Sequence, residues 1–367
     1  MAPCRHCSRT DRIVSPRLGY CASCIRANFR EVWPQIEALH QESRRAFGLP
    51  LSPPQDPQGK SCTLCFHACR IPEGGYGFCG ARRVEGGHLK GGNPTGAGLS
   101  YYYDPLPTNC VADWFCPGGT GRGYPKYACR DGPERGYTNL AVFYHACNFN
   151  CLFCQNWTFK KATFKGEKVS AQELAGAVRK NTACICYFGG DPTPQLPHAL
   201  ATARLALAAA NQAGRILRIC WETNGAMQAQ WLKPLVERSL ENGGIIKFDL
   251  KAFSEEVHKA LCGVSNAQTL KNFALLAARL GERPEVPLLT ASTLLVPGYV
   301  DLDEIHGLAR FIAALNPDIP YSLLGFYPNF FMGDLPVTSR NFALQAKQVA
   351  EEAGVRQVHL GNVHLLY

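Results

Sequence analysis

The sequence predicts an α/β fold in which a parallel sheet is wrapped by helices and preceded by small cysteine-rich modules. Two observations predict this fold. From about residue 138 to the C-terminus, short strand-like runs alternate with helical segments, which is typical of a parallel sheet covered by helices. Before that point, cysteines recur at short spacings among frequent glycines and prolines. At 367 residues, the chain is long enough for one large domain and one or two small ones.

The composition is typical of a folded, unsecreted protein. Hydrophobic residues make up 46% of the chain and charged residues 18%, which allows a sizeable core. No N-terminal stretch has the layout of a signal peptide, and no apolar run reaches the length of about 18 residues that suggests a membrane span. We therefore expect a cytoplasmic protein with no membrane partner. The net charge of +9 is spread along the chain, so it supports nucleic-acid binding only weakly and leaves RNA as an open partner.

Two C-x2-C knuckles lie near the N-terminus. Four thiolates from two such turns satisfy tetrahedral zinc, and metal binding can fold a segment that lacks its own core. With 18 cysteines in an unsecreted chain, metal ligation is favoured over disulfides. The predicted zinc ligands are Cys4, Cys7, Cys21 and Cys24. A second redox site is the alternative. A helix predicted from about residue 26 to 47 completes a module over residues 1–48, and proline-rich residues 49–60 are predicted to be a linker.

A second cysteine group opens the region that we assign to residues 61–137. The group has the spacing C-x2-C-x3-C-x9-C and consists of Cys62, Cys65, Cys69 and Cys79. The spacing suits one metal site but does not decide between a closed zinc site and an auxiliary iron–sulfur cluster. Residues 84–137, rich in glycine, tyrosine and proline, are predicted to form a loop-dominated connector. It contains three irregularly spaced cysteines, Cys110, Cys116 and Cys129. We interpret them as free buried thiols; the alternative is that they are extra metal ligands.

Residues 138–367 carry the strand–helix alternation. The predicted strands cover residues 139–144, 184–188, 217–223, 245–250, 288–296, 321–326 and 357–360. The predicted helices begin with a capping box at Ser170 and Glu173 and continue near residues 196–212, 230–241, 267–280, 302–315 and 339–353. Sites of such folds lie at the C-terminal ends of the strands.

A C-x3-C-x2-C motif follows the first of these strands. It comprises Cys147, Cys151 and Cys154. Three thiolates on one tight loop can hold three irons of a cubane cluster and leave the fourth iron open for a non-protein ligand. Aromatic neighbours at Phe149, Phe153 and Trp157 are expected to exclude water and help to set the reduction potential. The alternatives are a zinc site completed elsewhere in the chain, or a loop of unrelated thiols.

The string from Cys147 to Trp157 resembles the radical S-adenosylmethionine (SAM) superfamily. It is most similar to relatives of pyruvate formate-lyase activating enzymes and, among them, to the radical SAM proteins of the AmmeMemoRadiSam system. The resemblance covers about residues 60–367. It implies a partial (β/α)6-type, TIM-like barrel with a [4Fe–4S] cluster on the three cysteines. It also implies that SAM is cleaved reductively to methionine and a 5′-deoxyadenosyl radical, which abstracts hydrogen from a substrate.

Polar residues at three further strand ends complete the predicted site. Two glycines allow the backbone to approach a small zwitterion closely, and the resemblance implies contact with the SAM amino group there. At the next two ends, it implies contacts with the SAM carboxylate and ribose and with a monovalent cation. The predicted cofactor-binding residues are Gly189, Gly190, Asp191, Glu222, Thr223, Asn224, Asp249 and Lys251. The alternative is a buried Glu–Lys or Asp–Lys pair of structural value only.

Three positions qualify the resemblance. Ser292 stands where activating enzymes commonly have an arginine for the SAM carboxylate, and Tyr327 stands where the relatives have a histidine. His258 is interpreted as a helix-surface residue rather than as part of the site.

The resemblance to activases implies a protein or peptide substrate, such as a glycyl-radical enzyme. It also implies a one-electron donor such as flavodoxin or ferredoxin. Modification of a small molecule or of RNA is the enzymatic alternative. A zinc-binding scaffold without enzymatic activity is the alternative that the N-terminal knuckles suggest.

Overall fold

The computed structural model describes residues 2–108 and 110–367. The first module contains two helices, α1 (Ala22–Ala27) and α2 (Phe29–Arg45). They confirm the helix predicted near residues 26–47, except that the chain breaks at Asn28, whose φ of −128° and ψ of 34° are not helical. Arg26 joins the module to the rest of the molecule through ion pairs with Asp301 at 2.5 Å and Glu304 at 3.0 Å.

Two small antiparallel hairpins follow the N-terminal module. Strand β1 (Lys60–Ser61) pairs with β2 (Arg70–Ile71), and β3 (Arg83–Glu85) pairs with β4 (His88–Lys90). They enclose a separate small core built mainly from Cys62, Leu64, Cys69, Ile71, Phe78 and Val84. A core of this size gives the segment little stability of its own.

The predicted loop-dominated connector contains regular elements that the sequence did not indicate. Besides β4, they are strand β5 (Ala97–Pro105), which joins the main sheet, and the short helix α3 (Pro117–Thr120). The composition hid β5 because its glycine, proline and exposed tyrosines resemble a loop. The main sheet therefore starts before residue 138.

The main sheet has nine strands. The remaining ones are β6 (Thr138–Tyr144), β7 (Lys168–Val169), β8 (Thr182–Gly189), β9 (Arg218–Thr223), β10 (Ile246–Asp249), β11 (Leu289–Leu295), β12 (Tyr321–Gly325) and β13 (Val358–Gly361). The strand order is β13-β12-β11-β10-β9-β8-β6-β5-β7. Neighbours from β6 to β13 are parallel, whereas β5 runs antiparallel to both β6 and β7. All seven strands predicted after residue 138 are confirmed.

Helices connect the parallel strands. They are α4 (Phe159–Ala162), α5 (Ala171–Gly176), α6 (Leu196–Gln212), α7 (Ala229–Leu240), α8 (Glu255–Cys262), α9 (Ala267–Ala277), α10 (Leu302–Leu315) and α11 (Arg340–Glu352). The capping box is confirmed, because the Ser170 side chain accepts from Glu173 N and the Glu173 carboxylate accepts from Ser170 N. Six strand–helix units followed by β13 form the partial (β/α)6-type barrel that the sequence predicted. Within the described residues, no helix is both long and apolar enough to cross a membrane.

Candidate active site

A cavity of about 170 Å³ opens at the C-terminal ends of the parallel strands. The fold places there every residue predicted to bind the cluster or SAM. These residues are Cys147, Cys151, Cys154, Gly189, Gly190, Asp191, Glu222, Thr223, Asn224, Asp249 and Lys251. They come from four successive strand ends, and parallel strands bring such ends to one edge of the sheet. The arrangement agrees with the sequence prediction of a single site.

The loop with the three cysteines is held from behind by two helices. Its backbone donates from Asn150 N to Cys262 O at 3.0 Å and from Leu152 N to Leu261 O at 2.9 Å, at the end of α8. The Asn150 side chain is 1% exposed and donates to Ser43 Oγ at 2.8 Å and to His40 O at 3.2 Å, both on α2. The N-terminal module therefore fixes the position of the loop.

The three thiols suit a cluster better than a single ion. A single ion needs ligand atoms that lie close together. Among the described residues, the N-terminal knuckles contain the only group of three or more Cys, His or carboxylate ligand atoms within 4.8 Å of one another, so the three thiols of the loop do not form such a group. Burial raises the pKa of Cys147 and raises that of Cys154 to about 11, whereas the hydrogen bond with the Cys262 thiol, together with burial, raises the pKa of Cys151. Iron coordination offsets this cost because a metal-bound thiol is deprotonated. The donor chemistry of three thiolates fits a [4Fe–4S] cluster with one open iron.

The double glycine brings the β8 end against the cysteine loop. Gly190 N donates to Tyr144 O and Asp191 N donates to Ala146 O, both at 2.8 Å. A Cβ atom on Gly190 would lie 2.2 Å from Ala146 O, so only glycine fits at this position. Gly189 adopts φ +105°, a conformation that favours glycine. The two glycines keep this wall of the cavity free of side chains.

Asp191 links the ends of β8 and β9. Its carboxylate is 3% exposed and accepts from Thr193 N at 2.8 Å, Thr223 Oγ1 at 3.0 Å and Asn224 N at 2.7 Å. Burial raises the pKa of Asp191, although these hydrogen bonds oppose the shift. The residue therefore orients two strand ends while its carboxylate lines the cavity.

Both lysine pairs considered from the sequence are formed. Lys247 Nζ lies 3.3 Å from Glu222 Oε2, and Lys251 Nζ lies 2.7 Å from Asp249 Oδ2. Ser292 Oγ donates to Asp249 Oδ1 at 2.7 Å, so it orients that carboxylate rather than replacing the missing arginine. The pairs do not remove the acids from the site, because Glu222 and Asp249 still line the cavity. A monovalent cation here would compete with two ammonium groups.

A second cavity of about 40 Å³ is lined by Lys247. Cys110 and Cys116 of the connector line it, and Lys247 Nζ lies 3.0 Å from Cys110 Sγ and 3.1 Å from Cys186 Sγ. Among the described residues, no three of these sulfurs converge on one point within 4.8 Å. This favours the interpretation of the connector cysteines as free thiols, although Cys110, Cys116 and Cys129 are half-buried rather than buried.

Sequence reasoning missed two buried cations behind the cysteine loop. Lys160, 3% exposed, lines the cavity and donates to Asn150 Oδ1 at 3.1 Å. Arg44, 2% exposed, lies on α2. Burial lowers the pKa of Lys160, and the neighbouring Arg44 lowers it further. Both positions look like ordinary surface charges in the sequence, so no local pattern could have revealed them.

The interpretation of His258 as a helix-surface residue is wrong. Its ring is 1% exposed and lies edge-on to Phe149 at 5.4 Å. Its Nδ1 lies 2.7 Å from Val264 O. The residue falls on the inner face of α8, where it packs against the cysteine loop.

Tyr327 lies at the rim of the site. It is 55% exposed, and its backbone carbonyl accepts a hydrogen bond from Gln155 Nε2 at 2.9 Å.

The N-terminal knuckles converge on a single point. All four sulfurs of Cys4, Cys7, Cys21 and Cys24 lie within 4.8 Å of one another. Backbone hydrogen bonds outweigh burial at Cys4 and lower its pKa to about 6. This geometry fits the predicted tetrahedral zinc site. The predicted second group, Cys62, Cys65, Cys69 and Cys79, does not converge in this way within the described residues.

Comparison with known proteins supports the assignment from the site. The sequence profile of the Radical SAM superfamily matches residues 141–312. A protein of Methanocaldococcus jannaschii, provisionally named a glycyl-radical enzyme activating enzyme, is 30% identical over 221 residues, which cover 58% of this chain and 76% of that protein. The chain belongs to the radical SAM superfamily. Members of this superfamily use a [4Fe–4S] cluster to cleave SAM by a radical mechanism, and the cavity described above provides suitable ligands for both.

Other relatives extend the similarity of this radical SAM protein. An uncharacterized protein of M. jannaschii is 26% identical over 310 residues, covering 82% of this chain and 81% of the relative. The pyruvate formate-lyase 1-activating enzyme of Escherichia coli K12 is 27% identical over 216 residues, covering 56% and 81%. Among solved structures, a domain of the pyruvate-formate lyase-activating enzyme from Bacteroides vulgatus aligns over 48% of this chain and 98% of its own, at 23% identity and a TM-score of 0.37.

Proposed function

We propose that this radical SAM enzyme abstracts hydrogen from a protein or peptide, as an activase of a glycyl-radical enzyme does. The observation that carries the proposal is the convergence of three cysteines and eight predicted SAM contacts on one cavity. The activating-enzyme names of its relatives favour a polypeptide substrate.

The chain contributes ligands, orientation and exclusion of water. Cys147, Cys151 and Cys154 would hold a [4Fe–4S] cluster, which would supply the electron for reductive cleavage of SAM. Gly189 and Gly190 leave room for the SAM amino acid part beside the backbone. Lys251 provides positive charge for a carboxylate. Phe149 and Phe153 line the same cavity and keep water away from the reacting groups.

Anaerobic reconstitution tests this function. Reduced wild-type protein with SAM is expected to form 5′-deoxyadenosine and methionine, and the variant C147A/C151A/C154A is expected to form neither. Equal product formation by the two proteins would contradict the proposal.

The substrate class requires a second measurement. A candidate polypeptide deuterated at its glycine α-carbons should transfer deuterium into 5′-deoxyadenosine. Transfer from an RNA or from a small molecule, with none from polypeptides, would instead support the alternative substrate classes.

The metal at the N-terminal knuckles is part of this proposal. We assign one zinc ion to Cys4, Cys7, Cys21 and Cys24, where it holds the module together. The external one-electron donor would be a flavodoxin or ferredoxin. A protein that contains zinc but takes up neither iron nor sulfide would instead support a scaffold function.

A further inference from the structure

The chain carries two groups of four cysteines, and their geometries differ. The N-terminal four place all their sulfurs within 4.8 Å of one another, whereas no three of Cys62, Cys65, Cys69 and Cys79 do so in the described structure. Tetrahedral zinc with bonds of about 2.3 Å requires close sulfurs. A cubane cluster binds each cysteine to a different iron and therefore holds the sulfurs further apart. Among the described residues, the three cysteines of the active-site loop likewise do not all lie within 4.8 Å of one another.

The second group is packed directly against the active site. The loop that carries it donates from Phe66 N to Ala226 O at 3.2 Å and accepts at Leu64 O from Gln228 N at 3.0 Å, just beyond Asn224. His67 Nε2 lies 2.8 Å from Asn148 O, within the cysteine loop itself. Phe66 also packs edge-on against Phe149 at 6.2 Å. A short chain of direct contacts thus joins the two cysteine-bearing loops.

A buried cation packs against the loop of the second group. The Arg44 guanidinium stacks on the Phe78 ring at 3.4 Å and donates to the carbonyls of Phe78 and Pro50. Among the described residues, it forms no ion pair with a carboxylate. Burial lowers its pKa to about 9, and the groups that oppose this shift are Cys79, Cys147 and Cys69. Thiolate-bound clusters on both sides would supply the missing negative charge.

We propose that Cys62, Cys65, Cys69 and Cys79 bind a second iron–sulfur cluster, which relays single electrons to the cluster at Cys147, Cys151 and Cys154. This inference rests on the proposed function, because it needs a cluster at the active site to receive the electron. An external one-electron reductant reduces the second cluster by one electron. The second cluster is oxidised again when it reduces the active-site cluster, so each turnover carries one electron and no group is transferred.

Metal content tests the site independently of SAM cleavage. Wild-type protein reconstituted with iron and sulfide is expected to bind about eight irons per chain, and C147A/C151A/C154A about four, because four irons belong to each cluster. The variant should also keep an iron–sulfur EPR signal that does not change with SAM. If the variant binds no iron, or if the wild type binds about two zinc ions and four irons, the inference is wrong.

The source of electrons tests the relay. C79S should still contain the active-site cluster and therefore about four irons per chain or more. With dithionite as the reductant, it should still form 5′-deoxyadenosine. With reduced flavodoxin as the donor, the rate should fall at least tenfold. Equal rates with flavodoxin in C79S and wild type would contradict the relay. If C79S does not fold, C69S provides the same comparison, since Cys69 is another predicted ligand.

If wild-type protein never forms 5′-deoxyadenosine, the proposed function fails, while the iron retained by C147A/C151A/C154A still decides the second site. Product formation therefore tests the proposed function, and iron content tests the second cluster, independently of each other.

Discussion

At the scale of single residues, the site depends on a carboxylate whose hydrogen bonds are all made inside the protein. Asp191 accepts from Thr193, Thr223 and Asn224 and so joins two strand ends. The short Asp191 side chain reaches these donors because they come from the backbone and hydroxyl groups of adjacent strand ends.

Replacing Asp191 with asparagine should weaken SAM binding. In D191N, the side-chain NH2 group would replace one carboxylate oxygen and face the backbone N–H donor of Thr193 or of Asn224, so the link between the two strand ends would weaken at a cost of about 1.5 to 3 kcal/mol. We expect the Kd for SAM, measured anaerobically by equilibrium dialysis, to rise by about tenfold or more. The exposed variant D318N is the matched control. An unchanged Kd in D191N would show that Asp191 does not organise the SAM site.

The buried His258 predicts a specific dependence of stability on pH. Burial lowers its pKa from 6.5 to about 4, so the unfolded chain takes up a proton before the folded protein does. Its contribution to stability is therefore complete above pH 6.5 and is lost as the pH falls from 6.5 towards 4. At pH 5 the loss amounts to about 2 kcal/mol.

Denaturant unfolding at pH 7.5 and pH 5.0 measures this effect. The difference in free energy of unfolding between the two pH values should be about 2 kcal/mol smaller in H258Q than in wild type. The exposed control H306Q should keep the wild-type difference. If H258Q shows the same difference in free energy of unfolding between the two pH values as wild type, the assignment of a buried neutral imidazole is contradicted.

At the scale of elements, α2 supports the cysteine loop although the two are more than one hundred residues apart in sequence. Asn150 lies between the first two cysteines of the motif, and its partners on α2 are His40 and Ser43. The motif alone predicted a cluster loop, but it did not show which element would fix it. A contact between distant segments leaves no periodic pattern in either one, so the sequence could not supply it.

Removing the Asn150 side chain should loosen the active-site cluster. N150A would leave the buried Lys160 ammonium without its side-chain acceptor, at a cost of about 2 to 3 kcal/mol. We expect iron to leave the reconstituted protein about tenfold faster or more in the presence of a chelator. The surface variant N341A should match wild type. If N150A and wild type lose iron at the same rate, α2 does not support the loop.

The N-terminal knuckles should be ordered by their metal. Ser15 Oγ lies 2.8 Å from Asp334 Oδ2, and Ser15 N donates to Tyr299 Oη at 2.9 Å, so the module is docked on the barrel. In C24S we expect the loss of about one zinc per chain and faster proteolysis within residues 2–25. The variant C129S should retain zinc. Full zinc content in C24S would contradict the predicted ligand set.

At the scale of the whole molecule, the sequence predicted the parallel sheet because buried parallel strands leave a clear pattern of apolar runs between amphipathic helices. The partial barrel was implied by the resemblance to radical SAM proteins. All eleven predicted cluster and SAM contacts lie at one cavity, since strand ends in this fold converge. Strand β5 was missed because tyrosine and glycine in a strand near the edge of the sheet resemble a loop. Arg44 and Lys160 were missed because burial of a charge depends on tertiary contacts.

The central claim is that the cavity at the strand ends binds a cluster whose open iron takes SAM. The most direct measurement is the EPR spectrum of the reduced, reconstituted protein with and without SAM. We expect SAM to shift the signal that depends on Cys147, Cys151 and Cys154, and 5′-deoxyadenosine to form in the same sample. An identical spectrum with and without SAM, together with no 5′-deoxyadenosine, would contradict the account.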